Sequence, residues 1–157
     1  MRSRSAAATP NGLRGGEVKI HAITPGAFCV PSALQALTGA DLQSVIYPAL
    51  NRHAKRWGLL DVCAGEQMES AEGVLSELGY NCRMYRGEQL RAHVATWARR
   101  SAERWPGRAL LIATRTHALV VQDGTVYDNH MPLGAPGAQH PFARTTVVWA
   151  ALVESKQ

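Results

Sequence analysis

No stretch of this sequence approaches the ~20 consecutive apolar residues that a membrane-spanning helix needs. The longest apolar runs, at residues 109–113 and 118–121, have the length of strands. Charged residues are also scarce at 18%, while apolar residues make up 46%, a balance that argues against a wholly disordered chain. The sequence therefore predicts a globular protein with its own hydrophobic core and without a membrane partner.

Cysteine is equally sparse, with only Cys29, Cys63 and Cys82. An odd number at scattered spacing does not predict a disulfide framework. Because there is no C-x-x-C pair and no glycine-rich phosphate loop, we expect neither a metal site nor a bound cofactor. We interpret Cys63 and Cys82 as small buried hydrophobic residues, which leaves Cys29 as the cysteine of interest.

Positive charge is concentrated at the start of the chain. The net charge is +5, and Arg2, Arg4 and Arg14 supply three of these charges within residues 1–16, where there is no acidic residue. We interpret residues 1–16 as a basic flexible tail, able to contact a protein partner, and residues 17–157 as a single domain. The remainder is nearly balanced in charge, so nucleic acid is not expected as a partner. We expect a cytoplasmic protein, or a component of a viral particle if the chain is phage-encoded.

Helical patterns come first along the chain and strand patterns follow. Helices are predicted at residues 30–38, from Leu42 to Pro48, which should end or kink the helix before a further piece towards Trp57, at 70–78 and at 88–100. Strands are predicted at 81–86, 108–114, 117–122, 125–128 and 145–153, with a Pro/Gly-rich surface loop at 129–142. This order predicts an α+β fold in which N-terminal helices pack on a mostly antiparallel C-terminal sheet.

Cys29 lies at the start of the first predicted helix. Pro31 suits the first turn of that helix and Gly39 suits the position just beyond its end. The free N–H groups and the dipole at a helix N-terminus stabilise a thiolate, the form in which cysteine is a nucleophile. A nearby histidine would stabilise the thiolate further and later protonate a leaving group.

His117 is the best candidate for that histidine, because it opens a strand that leads into a hairpin. If Asp123-Gly124 forms a two-residue turn, Gln122 pairs with Thr125. Asp128 then becomes the diagonal neighbour of His117 on the same face, with Cβ atoms roughly 7 Å apart. A three-residue loop would instead place Asn129 on that face. We therefore expect Asp128, with Asn129 in reserve, to orient His117.

Two segments resemble papain-like cysteine peptidases, most closely the bacteriocin-processing group and its short bacterial and phage relatives. Residues 28–39, F-C-V-P-S-A-L-Q-A-L-T-G, resemble the cysteine helix of these enzymes, and residues 116–129, T-H-A-L-V-V-Q-D-G-T-V-Y-D-N, resemble their histidine and acid strands. The resemblance implies a papain-like fold and cleavage of a peptide or isopeptide bond in a protein or peptide substrate. It assigns Cys29 as nucleophile, His117 as base and Asp128 as orienting acid.

The chain departs from the papain-like pattern at one position. These enzymes place a Gln about six residues before the cysteine to bind the oxyanion, and here that position is Ile23. Thr24 and His21 are the candidate replacements, beside the N–H of Cys29. Because this Gln is missing, a second hypothesis is a catalytically weak or inactive papain-like scaffold that binds or assembles with another protein. The basic tail supports a third hypothesis, nucleic-acid binding, which is the weakest of the three.

Overall fold

The computed structural model describes residues 16–54, 67–87 and 89–156. Helices precede most strands, as predicted, and the described elements are α1 (Cys29–Thr38), a π-helical turn (Leu42–Ile46), α2 (Tyr47–His53), α3 (Gln67–Glu77), β1 (Tyr80–Met84), α4 (Val94–Arg104), β2 (Ala109–Ala113), β3 (Ala118–Gln122), β4 (Thr125–Tyr127), β5 (Ala135–Pro136), a 3₁₀ turn (Gly137–Gln139) and β6 (Trp149–Ser155). The predicted basic tail, apart from Gly16, lies outside the described residues, and so do residues 55–57 at the end of the helical piece predicted towards Trp57. No helix in the described ranges has the length and apolar character required to cross a bilayer.

A six-stranded antiparallel sheet forms the centre of the described structure, in the order β1-β6-β2-β3-β4-β5. Alternate residues of its strands enter two hydrophobic layers, as the period of two in a strand requires. Ala118 and Val120 join the layer that contains α1 and α3, whereas Leu119 and Val121 join the layer that contains α4. The α+β class and the antiparallel sheet are confirmed.

Helix α1 is buried along nearly its whole length, from Cys29 to Leu37. Pro31 occupies its first turn, where no N–H donor is needed. The helix ends at Gly39, whose φ of 73° is a left-handed conformation that glycine adopts without a Cβ penalty. The predicted placement of Cys29 at the helix N-terminus is therefore confirmed.

The second helical segment differs from the prediction at Pro48. Asp41 caps the segment as expected, because its carboxylate accepts the N–H of Ser44 at 2.9 Å. Of the two predicted effects of Pro48, an end or a kink of the helix, the end does not occur, and the helical geometry instead changes just before Pro48. A π-helical turn precedes it, and Pro48 lies at the beginning of the α-helical part, where a missing N–H is tolerated.

Helix α4 begins at Val94, later than the predicted start at residue 88. The residues before it fold back along the helix instead of extending it. The indole N–H of Trp97 donates to the carbonyl of Leu90 at 2.9 Å, and the Arg100 guanidinium donates to the carbonyl of Gln89 at 2.8 Å. These tertiary hydrogen bonds satisfy carbonyls that an earlier helix start would have used.

The β3–β4 hairpin has the predicted register. Gln122 pairs with Thr125 and Val120 with Tyr127 across a two-residue turn. Asp123 and Gly124 have φ values of 50° and 85°, the positive values that a type I′ turn requires.

The prediction of a simple surface loop at residues 129–142 is wrong. This segment contains β5 and the 3₁₀ turn, and the residue that follows the turn, His140, is 3% exposed. The turn packs on α4 so closely that a Cβ added to Gly137 would lie 2.3 Å from the Cβ of Ala98. The segment is buried because it packs on α4. A local Pro/Gly pattern does not predict such a tertiary contact.

We expect Gly137→Ala to lower the free energy of unfolding by about 1–3 kcal/mol, because the added methyl group overlaps Ala98 and forces the turn away from α4. Urea unfolding would measure the loss, with the exposed neighbour Ala138→Ser as a control expected to change little. Ala98→Gly should recover part of the loss in the double variant, because it removes the opposing methyl group. Equal stability of Gly137→Ala and the wild type would refute this close packing.

Candidate functional site

His117 and Asp128 meet in the interior, as the hairpin register predicts. His117 precedes the first residue of β3, and Asp128 follows the last residue of β4. Their side chains are 7% and 0% exposed, and His117 Nε2 lies 2.6 Å from Asp128 Oδ2. An ionised carboxylate only accepts hydrogen bonds, so His117 Nε2 must carry the proton. This hydrogen bond orients the imidazole and leaves Nδ1 as the second ring nitrogen.

Asp128 is held as a carboxylate by several donors. Its Oδ1 accepts His140 Nε2 at 3.1 Å and the backbone N–H groups of His130 and Met131 at 3.1 and 2.8 Å. Burial alone would raise the pKa of Asp128, but the hydrogen bonds from His117, His140 and Met131 outweigh it and hold that pKa well below its usual range. The site therefore contains a buried, stably ionised acid beside a histidine.

Aromatic side chains cover the His117 imidazole. The ring of Phe142 lies 4.5 Å from it between centroids, and the ring of His130 lies 5.3 Å away. Such a wall limits access of water to the His117–Asp128 hydrogen bond, and a lower local dielectric strengthens that bond. Sequence reasoning missed Phe142, because it lies in the segment that was predicted to be a surface loop.

Cys29 is completely buried at the first position of α1, and its sulfur is disulfide-bonded. The number and spacing of the cysteines, which predicted no disulfide framework, did not indicate this bond. Cys82 is a half-buried free thiol, and burial, followed by the charge of Glu72, raises its pKa to about 12. The third cysteine, Cys63, lies outside the described residues. A disulfide-bonded sulfur cannot form a thiolate, so any nucleophilic role of Cys29 requires its reduction first.

The start of α1 and the His117–Asp128 pair lie near the same end of the sheet. Asn129, the residue after Asp128, donates through Nδ2 to the carbonyl of Ala27 at 3.2 Å, two residues before Cys29. Successive side chains of β3 nevertheless face opposite sides of the sheet. Ala118 faces α1, so His117, the residue before it, is assigned to the face that packs on α4. No hydrogen bond links the described atoms of Cys29 and His117, so a catalytic encounter requires Sγ to approach His117 around the open end of β3.

Two buried polar atoms near the start of α1 have no hydrogen-bond partner among the described residues. One is Oγ of Ser32, one helical turn after Cys29, and the other is Oδ1 of Asn129. Buried polar groups are nearly always paired, so each unpaired one calls for an explanation. The region around the start of α1 therefore contains a hydroxyl donor and an amide acceptor that have no partner among the described residues.

The chain matches no protein-family model, no curated protein and no solved structure. Function is therefore inferred from the residues of the site and their geometry.

Neither Thr24 nor His21 lies where an oxyanion donor would be needed. The N–H of Thr24 donates to Gln35 Oε1 at 2.6 Å, and Gln35 is six residues, or about 9 Å of helix, beyond Cys29. The His21 ring packs against Gly39 at the opposite end of α1. The missing Gln position is also apolar in structure, since Ile23 is 7% exposed within the core. We correct both assignments, because the lead-in segment runs antiparallel to α1 and leaves both residues beside the C-terminal half of that helix, away from Cys29.

His140 is the main polar residue that sequence reasoning missed. It shares Asp128 with His117, although it comes from the segment predicted to be exposed. The described residues contain no group of three metal-binding side chains suited to hold an ion, and both histidine contacts to Asp128 are hydrogen bonds. The local sequence offered little indication of this role, since it shows only a histidine, His140, two residues before an aromatic residue, Phe142, in a Pro/Gly-rich segment.

Proposed function

We propose that the reduced protein is a papain-like cysteine hydrolase that cleaves a peptide or isopeptide bond. The observation that carries the proposal is the buried 2.6 Å hydrogen bond between His117 and Asp128, at the end of the sheet where Asn129 contacts the turn before Cys29. Helix α1 supplies the N-terminus that favours a thiolate. A cysteine opening a helix, a histidine before a strand and an acid after the return strand form the papain-like order.

The reaction begins when a dithiol reduces the Cys29 disulfide and is itself oxidised to a disulfide. The freed Sγ then approaches His117 around the open end of β3, and Nδ1 accepts the Cys29 proton. The thiolate attacks the substrate carbonyl carbon, and the tetrahedral oxyanion collapses to a thioester while His117 protonates the departing amine. Water, deprotonated by His117, attacks the thioester, and the carboxylic acid leaves as the thiol reforms.

The other polar residues support these steps. Asp128 holds the His117 proton on Nε2 and stabilises the imidazolium that forms during acylation. The N–H of Cys29 supplies one oxyanion donor, and the unpaired hydroxyl of Ser32 is the candidate for a second. We place the enzyme in the cytoplasm, because a reducing compartment keeps Cys29 available as a thiol.

A peptidyl vinyl sulfone, which alkylates only an accessible and activated thiol, tests the proposal. We expect the dithiol-reduced protein to be labelled at Cys29 at least about 100-fold faster than at Cys82, whose high pKa leaves almost no thiolate at neutral pH. Peptide mapping by mass spectrometry would locate the adduct. Cys82→Ser should be labelled like the wild type and Cys29→Ser should not be labelled. Labelling spread evenly over the cysteines, in a folded reduced protein, would refute the hydrolase proposal.

A second candidate is a non-catalytic papain-like scaffold that binds or assembles with another protein. The disulfide at Cys29 and the buried Ile23 at the position of the usual Gln favour it. In that case the disulfide is structural, and its reduction should lower stability by about 2–4 kcal/mol without producing turnover. Urea unfolding and peptide-library hydrolysis, each with and without dithiol, separate the two candidates. Turnover that appears on reduction and disappears in Cys29→Ser excludes the scaffold.

A further inference from the structure

His140 is buried although it belongs to an irregular segment. It follows the 3₁₀ turn that packs on α4, and its side chain has no exposed surface. Burying a polar imidazole costs free energy unless its nitrogens are hydrogen-bonded. Both nitrogens of His140 are in fact used, one by the backbone and one by Asp128.

The backbone contact fixes where the His140 proton lies. The N–H of Phe142 points at His140 Nδ1 at a distance of 3.0 Å. A backbone N–H only donates, so Nδ1 must present its lone pair and the ring proton must lie on Nε2. His140 therefore presents an N–H donor to Asp128. Its Nε2–H donates to Asp128 Oδ1 at 3.1 Å.

This donor determines how the carboxylate of Asp128 is oriented. Three N–H groups converge on Oδ1, from His140 and from the backbone of His130 and Met131. The two backbone donors come from the turn next to Asp128, whereas His140 is the donor from a distant part of the chain. With Oδ1 held on these sides, Oδ2 points at His117 Nε2.

The same short segment also contacts His117 directly. Phe142, whose N–H fixes the His140 tautomer, places its ring 4.5 Å from the His117 ring. One segment therefore orients the acid through His140 and covers the base through Phe142. Neither contact follows from the Cys29, His117 and Asp128 assignment.

We propose that His140 is a positioning residue, which holds Asp128 so that His117 keeps its proton on Nε2 and Nδ1 is available to the Cys29 thiol. The inference rests on the proposed hydrolase for its effect on turnover. The effect on the His117 tautomer is independent of catalysis.

Two substitutions distinguish positioning from mere packing. His140→Phe keeps an aromatic ring and removes both hydrogen bonds. His140→Gln retains an N–H donor near the position of Nε2 and an acceptor for the N–H of Phe142, so it should restore what the Phe variant loses. His93→Phe, at an exposed position before α4, is the matched control for a histidine-to-phenylalanine change elsewhere.

The first readout is the ¹⁵N NMR spectrum of the histidine rings, which distinguishes Nδ1–H from Nε2–H tautomers. We expect His117 to be held as Nε2–H in wild type, His93→Phe and His140→Gln, and to populate both tautomers in His140→Phe. The second readout is turnover by the reduced protein, for which we expect kcat to fall about 10- to 100-fold in His140→Phe with little change in KM, the size of loss seen when a group that orients a metal-binding side chain through a hydrogen bond is removed. His140→Gln should recover most of kcat.

An unchanged His117 tautomer in folded His140→Phe would overturn the inference, and so would a Gln variant as impaired as the Phe variant in both readouts. If His140→Phe does not fold, a His140→Gln variant with a mixed His117 tautomer overturns it, and one with the Nε2–H tautomer supports it. Absence of turnover in every protein, including wild type, would refute the hydrolase proposal instead. In that case the NMR result alone decides whether His140 positions His117.

Discussion

Asp128→Asn is expected to lower kcat about 10⁴-fold while the protein remains folded, an effect of the size seen when an orienting acid is replaced by its amide. The substitution keeps Oδ1 as an acceptor for the donors from His140, His130 and Met131. It replaces Oδ2, which accepts from His117, with an NH₂ donor. His117 Nε2 must then become an acceptor, so its proton moves to Nδ1, the nitrogen that acts as the base in the proposed reaction.

The measurement is kcat of the reduced protein on the peptide that the wild type cleaves fastest from a mixed-sequence library. Asp123→Asn is a matched control, because Asp123 is exposed in the hairpin turn and accepts the N–H of Gly107 through an oxygen that asparagine also carries. The control should retain wild-type kcat. If Asp128→Asn were as active as Asp123→Asn, the orienting role of Asp128 would be wrong.

Asp128→Ala is expected to lower the free energy of unfolding at pH 7 by about 3–5 kcal/mol, the cost of removing one partner from a buried, hydrogen-bonded pair. The truncation leaves His117, His140 and two backbone N–H groups without their acceptor in the interior. Urea unfolding, compared with Asp128→Asn, would measure the loss. The Asn variant should lose less, because its Oδ1 remains.

This stabilisation also has a predictable pH dependence. The folded-state pKa of Asp128 is depressed, so its contribution is fully present above the unfolded-state value of about 3.9 and declines as the pH falls below that value. The difference in stability between wild type and Asp128→Ala should therefore be larger at pH 7 than at pH 3. A difference that is small at pH 7, or equal at both pH values, would contradict the buried carboxylate.

The parts of the site that depend on local pattern were predictable from the sequence. Asp123-Gly124 specifies a two-residue turn, because both positions need positive φ, and that turn fixes the register of the whole hairpin. The register in turn places Asp128 beside His117. Pro31 and Gly39 likewise bound α1 and put Cys29 at its first position.

The parts that depend on tertiary contacts were not predictable. His140 and Phe142 reach the site because the 3₁₀ turn packs on α4, through the contact of Gly137 with Ala98. Helix α4 begins late because Trp97 and Arg100 bond back to the preceding segment. The disulfide at Cys29 could not be predicted from the spacing of the cysteines in the sequence. Each of these outcomes is decided by a side-chain or covalent contact that periodicity and turn chemistry do not encode.

The most direct test of the account is the pH dependence of Cys29 alkylation by iodoacetamide in the dithiol-reduced protein, followed by mass spectrometry in wild type and His117→Ala. The account predicts a kinetic pKa for Cys29 well below the ordinary thiol value of about 8.5, moving up towards that value when His117 is removed. A Cys29 that reacts with an ordinary or raised pKa, unchanged by His117→Ala, would contradict a thiolate stabilised by α1 and His117.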